Sequence, residues 1–149
     1  MDRQQMAAPA PRPCISCPYR RDVPSGIWHA REYAKLPPYD ADTGSQPSGL
    51  FQCHQNDGDD LHRRICAGWA GCHDGGELLA LRLAVIDGRI APETAQAVVN
   101  YQSPVPLFDS GAEAAAHGLR DITTPASEAL RAMEKIQRVR SDIIEHSPP

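Results

Sequence analysis

The chain has few aromatics, no long apolar run and no excess of positive charge. Phe, Trp and Tyr supply 5% of its 149 residues, so a core must be built mainly from the aliphatic part of a 41% apolar content. No stretch approaches the roughly 18 consecutive apolar residues of a membrane-spanning helix. The formal charge of −4 argues against broad attraction to nucleic acid or anionic membranes. Residues 1–5 lead into an Ala/Pro run without the apolar segment of a signal peptide, so the expected compartment is the cytoplasm, where thiols stay reduced. Catalytic signatures are also missing. There is no phosphate-binding glycine loop, dinucleotide fingerprint, H-E-x-x-H or nucleophile elbow. Pro13-Cys14-Ile15-Ser16-Cys17 matches half of the zinc-deaminase signature, but no H-x-E accompanies it. The expectation leans away from an enzyme.

What the chain does have is cysteine. Its 5 cysteines all lie between Cys14 and Cys72, as Cys14-x2-Cys17, Cys53-His54, Cys66 and Cys72-His73. An odd number leaves a disulfide framework with one thiol over, whereas a four-thiolate site plus one bystander accounts for the count. A C-x2-C pair puts two sulfurs in one tight turn, the bite a tetrahedral ion or an iron–sulfur cluster needs. Cys14, Cys17, Cys53 and Cys66 are the expected metal ligands. Cys72, His54 and His73 are secondary candidates, with His62 behind them. His54 also suits a hydrogen bond to a thiolate rather than a metal bond. Zinc is the first expectation. A [4Fe-4S] or [2Fe-2S] cluster is the alternative, because only the first cysteine pair has zinc-knuckle spacing and Cys17-Pro18 resembles the end of ferredoxin-type runs. Calcium is set aside, since Asp57-Gly58-Asp59-Asp60 is too short for a calcium loop.

Length is that of one domain, and frequent proline points to much irregular chain. The expected fold is mainly α with irregular metal-stapled loops, or a small α+β fold with one or two short strands near residues 50–54. Residues 1–13 read as a disordered tail, 14–108 as a Cys/His metal-binding module with a buried helix, and 109–149 as a C-terminal helical segment. Within the module, Ser25 or Gly26 is expected to open a short helix reaching Leu36, with Trp28, Tyr33 and Leu36 on one side. Asp74 and Glu77 have the form of a capping box before Leu78–Ile86, and Gly88 suits a left-handed residue after that helix. Pro92 opens a second helix to about Tyr101, burying Ala95, Val98 and Val99. Residues 112–116 are only weakly helix-prone. The last helix is expected to follow Thr124 and Pro125 over residues 126–145, with Ala129, Met133, Ile136 and Ile143 on one stripe and Leu130 and Val139 beside it.

Three of these pieces in order carry a resemblance: Cys14-x2-Cys17-Pro18-Tyr19-Arg20, Phe51-x-Cys53-His54, and Cys66-Ala67-Gly68-Trp69. They resemble a bacterial family of unknown function whose core reads C-x2-C-P-[WY]-R, F-x-C-H and C-A-G, found in actinobacteria and the phages that infect them. The resemblance spans about residues 12–87. It implies Cys14, Cys17, Cys53 and Cys66 as the ligand set, with His54 beside it, and brings no activity with it.

Arg12, Arg20, Arg21, Arg63 and Arg64 flank the thiols and form a basic rim. Trp28 or Trp69 beside them would suit nucleic-acid contacts. The segment from residue 36 to 62 holds five Asp and no Lys or Arg, so internal pairing with that loop is favoured. The expected partner is therefore a protein, with nucleic acid as a further alternative. A monomer is favoured over a homodimer, because the last helix is too short and Arg140 interrupts its stripe.

Overall fold

The computed structural model describes residues 5–53 and 63–139, and the chain is mainly helical with irregular loops. Six α-helices are described: α1 (Ala30–Tyr33), α2 (Ala67–Cys72), α3 (Leu79–Ile86), α4 (Pro92–Val99), α5 (Gly111–Leu119) and α6 (Ser127–Val139). Single 3-10 turns at Pro37–Asp40, Thr43–Ser45 and Gly75–Glu77 punctuate the loops. No described helix is long and apolar enough to cross a membrane.

The expected strand near residues 50–54 is a single antiparallel bridge between Gln52 and Ile65. Two hydrogen bonds hold it, Cys53 N to Arg64 O at 2.9 Å and Cys66 N to Phe51 O at 2.8 Å. The pairing stops there because Cys66 is already the N-cap of α2, which turns the chain away. On the other side of Ile65, Ala7 joins as a second bridge partner through Arg64. Residues 5–13, read from sequence as part of a disordered tail, are therefore placed against the body. Ala7 exchanges hydrogen bonds with Arg63 and Ile65, Pro13 is fully buried, and the Pro11 carbonyl accepts from Tyr101 Oη. Backbone pairing gives this stretch the anchors that its composition does not advertise.

The core gathers Tyr19, Trp28, Tyr33, Leu36, Phe51, Ile65, Trp69, Leu78 and Leu81. α1 is shorter than expected and is opened by His29, whose Nδ1 accepts from Arg31 N, rather than by Ser25 or Gly26. Trp28, Tyr33 and Leu36 are all buried as the sequence suggests, and Trp28 Nε1 donates to Ser16 O at 2.8 Å, tying α1 to the cysteine turn. Asp74 caps the 3-10 turn, not α3; the first amide of α3, Leu79 N, is satisfied instead by Gln46 Oε1 at 3.0 Å. α3 is buried on one side through Ala80, Leu81 and Ala84 while Ile86 is exposed, and Gly88 follows at φ 78°. In α4, Val98 is buried but Val99 is not.

α5 is a full helix where sequence reads only weakly. Ser110 caps it by accepting from Glu113 N, and Asp40 caps it a second time from a distance, accepting from Gly111 N at 2.7 Å and Ala112 N at 2.8 Å. A carboxylate from elsewhere in the chain thus supplies what local propensity lacks. α6 begins at Ser127, two residues beyond Pro125, and buries Ala129 and Ile136 while Leu130 stays half-exposed. Arg140 and Ile143 lie outside the described residues. The packing of α6 makes a direct prediction. Ile136→Ala should cost about 2–4 kcal/mol of unfolding free energy in urea titration. Leu130→Ala should stay within about 0.5 kcal/mol. Equal costs for the two would show that α6 does not dock through this face.

Candidate metal centre

The Cys14–Cys17 turn is closed by Cys17 N donating to Cys14 O at 3.0 Å, and Arg20 N donates in turn to Cys17 O at 3.1 Å. This leaves both side chains on the concave side of one turn. Cys17 is fully buried and also accepts from the Tyr19 backbone N–H. The Gln52–Ile65 bridge carries Cys53 and Cys66 to the same place from the other half of the module. Cys66 serves as N-cap of α2, its sulfur accepting from Trp69 N at 3.4 Å. The Tyr19 amide aimed at the Cys17 sulfur favours that thiolate, though burial outweighs it.

The four sulfurs meet in sequence. Cys17 Sγ and Cys66 Sγ are 4.0 Å apart, and the Cys14 thiol hydrogen-bonds to both Cys17 and Cys53. They form a line of neighbours rather than a closed shell. Among the described residues, no three Cys, His, Asp or Glu side chains surround one point closely enough to hold an ion. Cys14 and Cys17 are held protonated in this arrangement. The hydrogen bond with Cys17, aided by burial, pushes Cys14 up to about 12, and burial pushes Cys17 well above the usual thiol range.

Gly68 makes the approach of Cys17 feasible. A Cβ at Gly68 would collide with Cys17 Sγ and lie 2.8 Å from Tyr19 Cβ, so the first turn of α2 can pass over the cysteine turn only without a side chain here. Sequence reasoning includes this glycine in the C-A-G motif and gives it no role. The usable signal is a glycine inside a helical first turn, where it costs stability unless something packs against the bare backbone. Around α2 an aromatic wall also forms: Tyr39 meets Trp69 at 5.4 Å and Phe51 at 5.8 Å, and Tyr19 meets Phe51 at 5.8 Å. The Trp69 Nε1 donor is buried without a hydrogen-bond partner among the described residues.

Cys72 and His73 lie elsewhere. They line a separate pocket of about 340 Å3 together with Asp40 and Asp109. Burial, reinforced by Asp40, Asp109 and Glu113, raises the Cys72 thiol to about 12. His73 sits with Nε2 3.5 Å from Tyr19 Oη and Nδ1 3.9 Å from Asp40 Oδ1; burial lowers its pKa, and Asp40 offsets only part of that. His54 and His62 lie outside the described residues. The basic rim is partly committed. Arg20 holds Asp22 through two bonds of 2.8 and 2.7 Å, and Arg21 donates to Leu107 O, lies near Asp109 and Glu113, and covers the Phe108 ring. The described acidic partners of Arg20 and Arg21 are Asp22, Asp109 and Glu113, while Asp57, Asp59 and Asp60 of the loop expected to pair with the rim lie outside the described residues.

The profile of a family of unknown function (DUF6283) matches residues 9–140, and the chain belongs to that family. The match extends well beyond the cysteine motifs, through α5 and α6. No curated protein and no solved structure shows significant similarity to the chain.

The Gly68 contact is open to a direct check. Gly68→Ala should lower stability by about 1–3 kcal/mol through overpacking against Cys17. Gly44→Ala, where nothing lies within 4 Å, should be nearly neutral. Urea denaturation of the two variants side by side decides it; a neutral Gly68→Ala would mean the thiol does not sit against α2.

Proposed function

We propose that this member of a family of unknown function is a small metal-binding protein in which Cys14, Cys17, Cys53 and Cys66 hold one structural zinc ion. The observation that carries the reading is the 4.0 Å separation of the Cys17 and Cys66 sulfurs. With bonds of about 2.3 Å at tetrahedral angles, two sulfurs on one zinc stand about 3.8 Å apart. Cys14 bridges Cys17 and Cys53 by hydrogen bonds, so the remaining thiols are within reach of the same ion. Closing the shell asks for rotation about χ1 of Cys14 and Cys53, which are half-buried, while Cys17 and Cys66 are held by packing. The iron–sulfur reading, a redox sensor or electron carrier, is the alternative. A [4Fe-4S] cluster puts each thiolate on its own iron, and a [2Fe-2S] cluster separates the thiols into two pairs. One unbroken line of thiols favours a single ion.

The ion would supply folding energy rather than chemistry. Structural zinc binding is worth about 10–16 kcal/mol, comparable with the whole stability of a domain. The protein would then act in the cytoplasm as a monomer that binds a protein partner. Arg20 and Arg21 are engaged by internal acceptors, which supports a protein over a nucleic acid; a zinc-finger-like nucleic-acid-binding role is the further alternative. The motif resemblance adds a phage or actinobacterial source to the same proposal.

Purified protein should be colourless and contain about one zinc per chain; brown protein absorbing near about 400 nm would establish the cluster instead. Ser at any one of Cys14, Cys17, Cys53 or Cys66 should abolish stoichiometric metal, and Cys72→Ser should leave it. Loss on Cys72→Ser with retention on Cys66→Ser would overturn the ligand set. Protons give an independent count. Cys14, held up near 12, and Cys17, pushed well above the usual thiol range by burial, are protonated at neutral pH and must release their protons to a cation. Calorimetry in buffers of different ionisation enthalpy should show close to four protons released per zinc at about pH 7. Release of only two would mean that two of the four thiols are not ligands.

A further inference from the structure

Cys14, Cys53 and Cys66 border a pocket of about 540 Å3 whose wall also carries Arg12, Arg20 and Arg64 and no carboxylate among the described residues. Arg20 is already neutralised by its two bonds to Asp22. Arg12 and Arg64 have no ion-pair partner among the described residues. Their place in the chain explains why they share the pocket with sulfur. Arg12 precedes Cys14 by two positions, and Arg64 precedes Cys66 by two. Arg64 bridges to Ala7, and Cys66 has extended torsions of φ −65° and ψ 122°. In extended chain, residues two apart point to the same side.

We infer that Arg12 and Arg64 are the counter-cations of the four-thiolate centre, an assignment that rests on the zinc reading above. Four thiolates around a divalent ion leave two negative charges, and that charge is costly at a half-buried site unless it is compensated. Two guanidiniums return the centre to neutrality from the pocket side. Lining the same pocket, their N–H groups would serve the Cys14 and Cys53 sulfurs as charge-assisted donors once the ion is bound, in the role that the Tyr19 and Trp69 amides have for the buried pair. The ion is thus held between two amide-bonded sulfurs in the core and two guanidinium-covered sulfurs at the surface.

The test is zinc affinity, read by competition with a chromophoric chelator at fixed pH and salt, on full-length protein. Arg12→Met and Arg64→Met should each weaken zinc about tenfold, and the double variant about a hundredfold. Arg64→Lys, which keeps the charge, should stay within about threefold of the unaltered protein. Far-ultraviolet circular dichroism of each zinc-loaded variant confirms the fold. Arg12 is exposed, so its single variant still decides the matter if the double variant does not fold. Affinity unchanged in Arg12→Met and Arg64→Met, or an Arg64→Lys loss as large as Arg64→Met, would overturn the assignment while leaving the zinc site standing. Unaltered protein that takes up no zinc would sink both readings together. A third arm addresses external anions: about 10 mM inorganic phosphate should not raise the thermal midpoint of the zinc-loaded protein. A rise that the double variant abolishes would mark the pocket as an oxyanion site and overturn the counter-cation role.

Discussion

The tightest constraint in the molecule is the crossing of the Cys14–Cys17 turn by the first turn of α2. Cys17 reaches Cys66 only because Gly68 presents bare backbone, and the same crossing seats Tyr19 against α2. Trp69 then follows Gly68 into the aromatic wall, with its amide on the Cys66 sulfur. Each of these contacts fixes the others. Moving α2 outward by the width of a methyl group would open the sulfur pair, loosen Tyr19 and withdraw the amide donor together. A core with so few aromatics can spend them here because this crossing is where the two halves of the cysteine region meet.

Part of the cysteine arrangement follows from the sequence. Cys17 lies beside Cys66, Cys14 adjoins Cys17 and Cys53, and Cys72 lines a different pocket. The helical content, the buried faces of Trp28, Tyr33 and Leu36, and the left-handed Gly88 also follow from local rules. What escaped was non-local. α5 is weak in isolation and is completed by Asp40, some seventy residues earlier in the chain. The segment around Ala7 has a disordered composition and is ordered by pairing with Ile65. Asp74 makes the expected side-chain cap but on a 3-10 turn, because Gln46 takes the amide at the start of α3. Periodicity and capping rules see only a few residues at a time, and each of these features depends on a partner far outside that window.

The two cysteines at the ends of α2 show how position decides the surroundings of the same side chain. Cys66 opens α2, and its sulfur accepts from Trp69 N. Cys72 closes the same helix, near Asp40, Asp109 and Glu113, where negative charge is opposed. One short helix thus gives the cysteines at its two ends different surroundings, an amide donor at the first and carboxylates at the second. His73, pressed between Tyr19 and Asp40, belongs to the second.

The link between Ser25 and the end of α5 bears on how the chain is made. Ser25 Oγ donates to Gly118 O and accepts from Asp121 N, contacts that span 93 and 96 residues of sequence, and Gly26 N adds a third bond to Gly118 O. On a ribosome adding about 5–20 residues per second, the cysteine turn therefore emerges several seconds before its last partner exists. During that interval Cys14 and Cys17 are exposed on a nascent chain, and Cys66 follows roughly midway. Thiols presented early and covered late are exposed to oxidation and to mispairing with other chains. A cation that captures them as soon as Cys66 arrives would shorten that exposure, making metal supply during synthesis a determinant of yield rather than a finishing step.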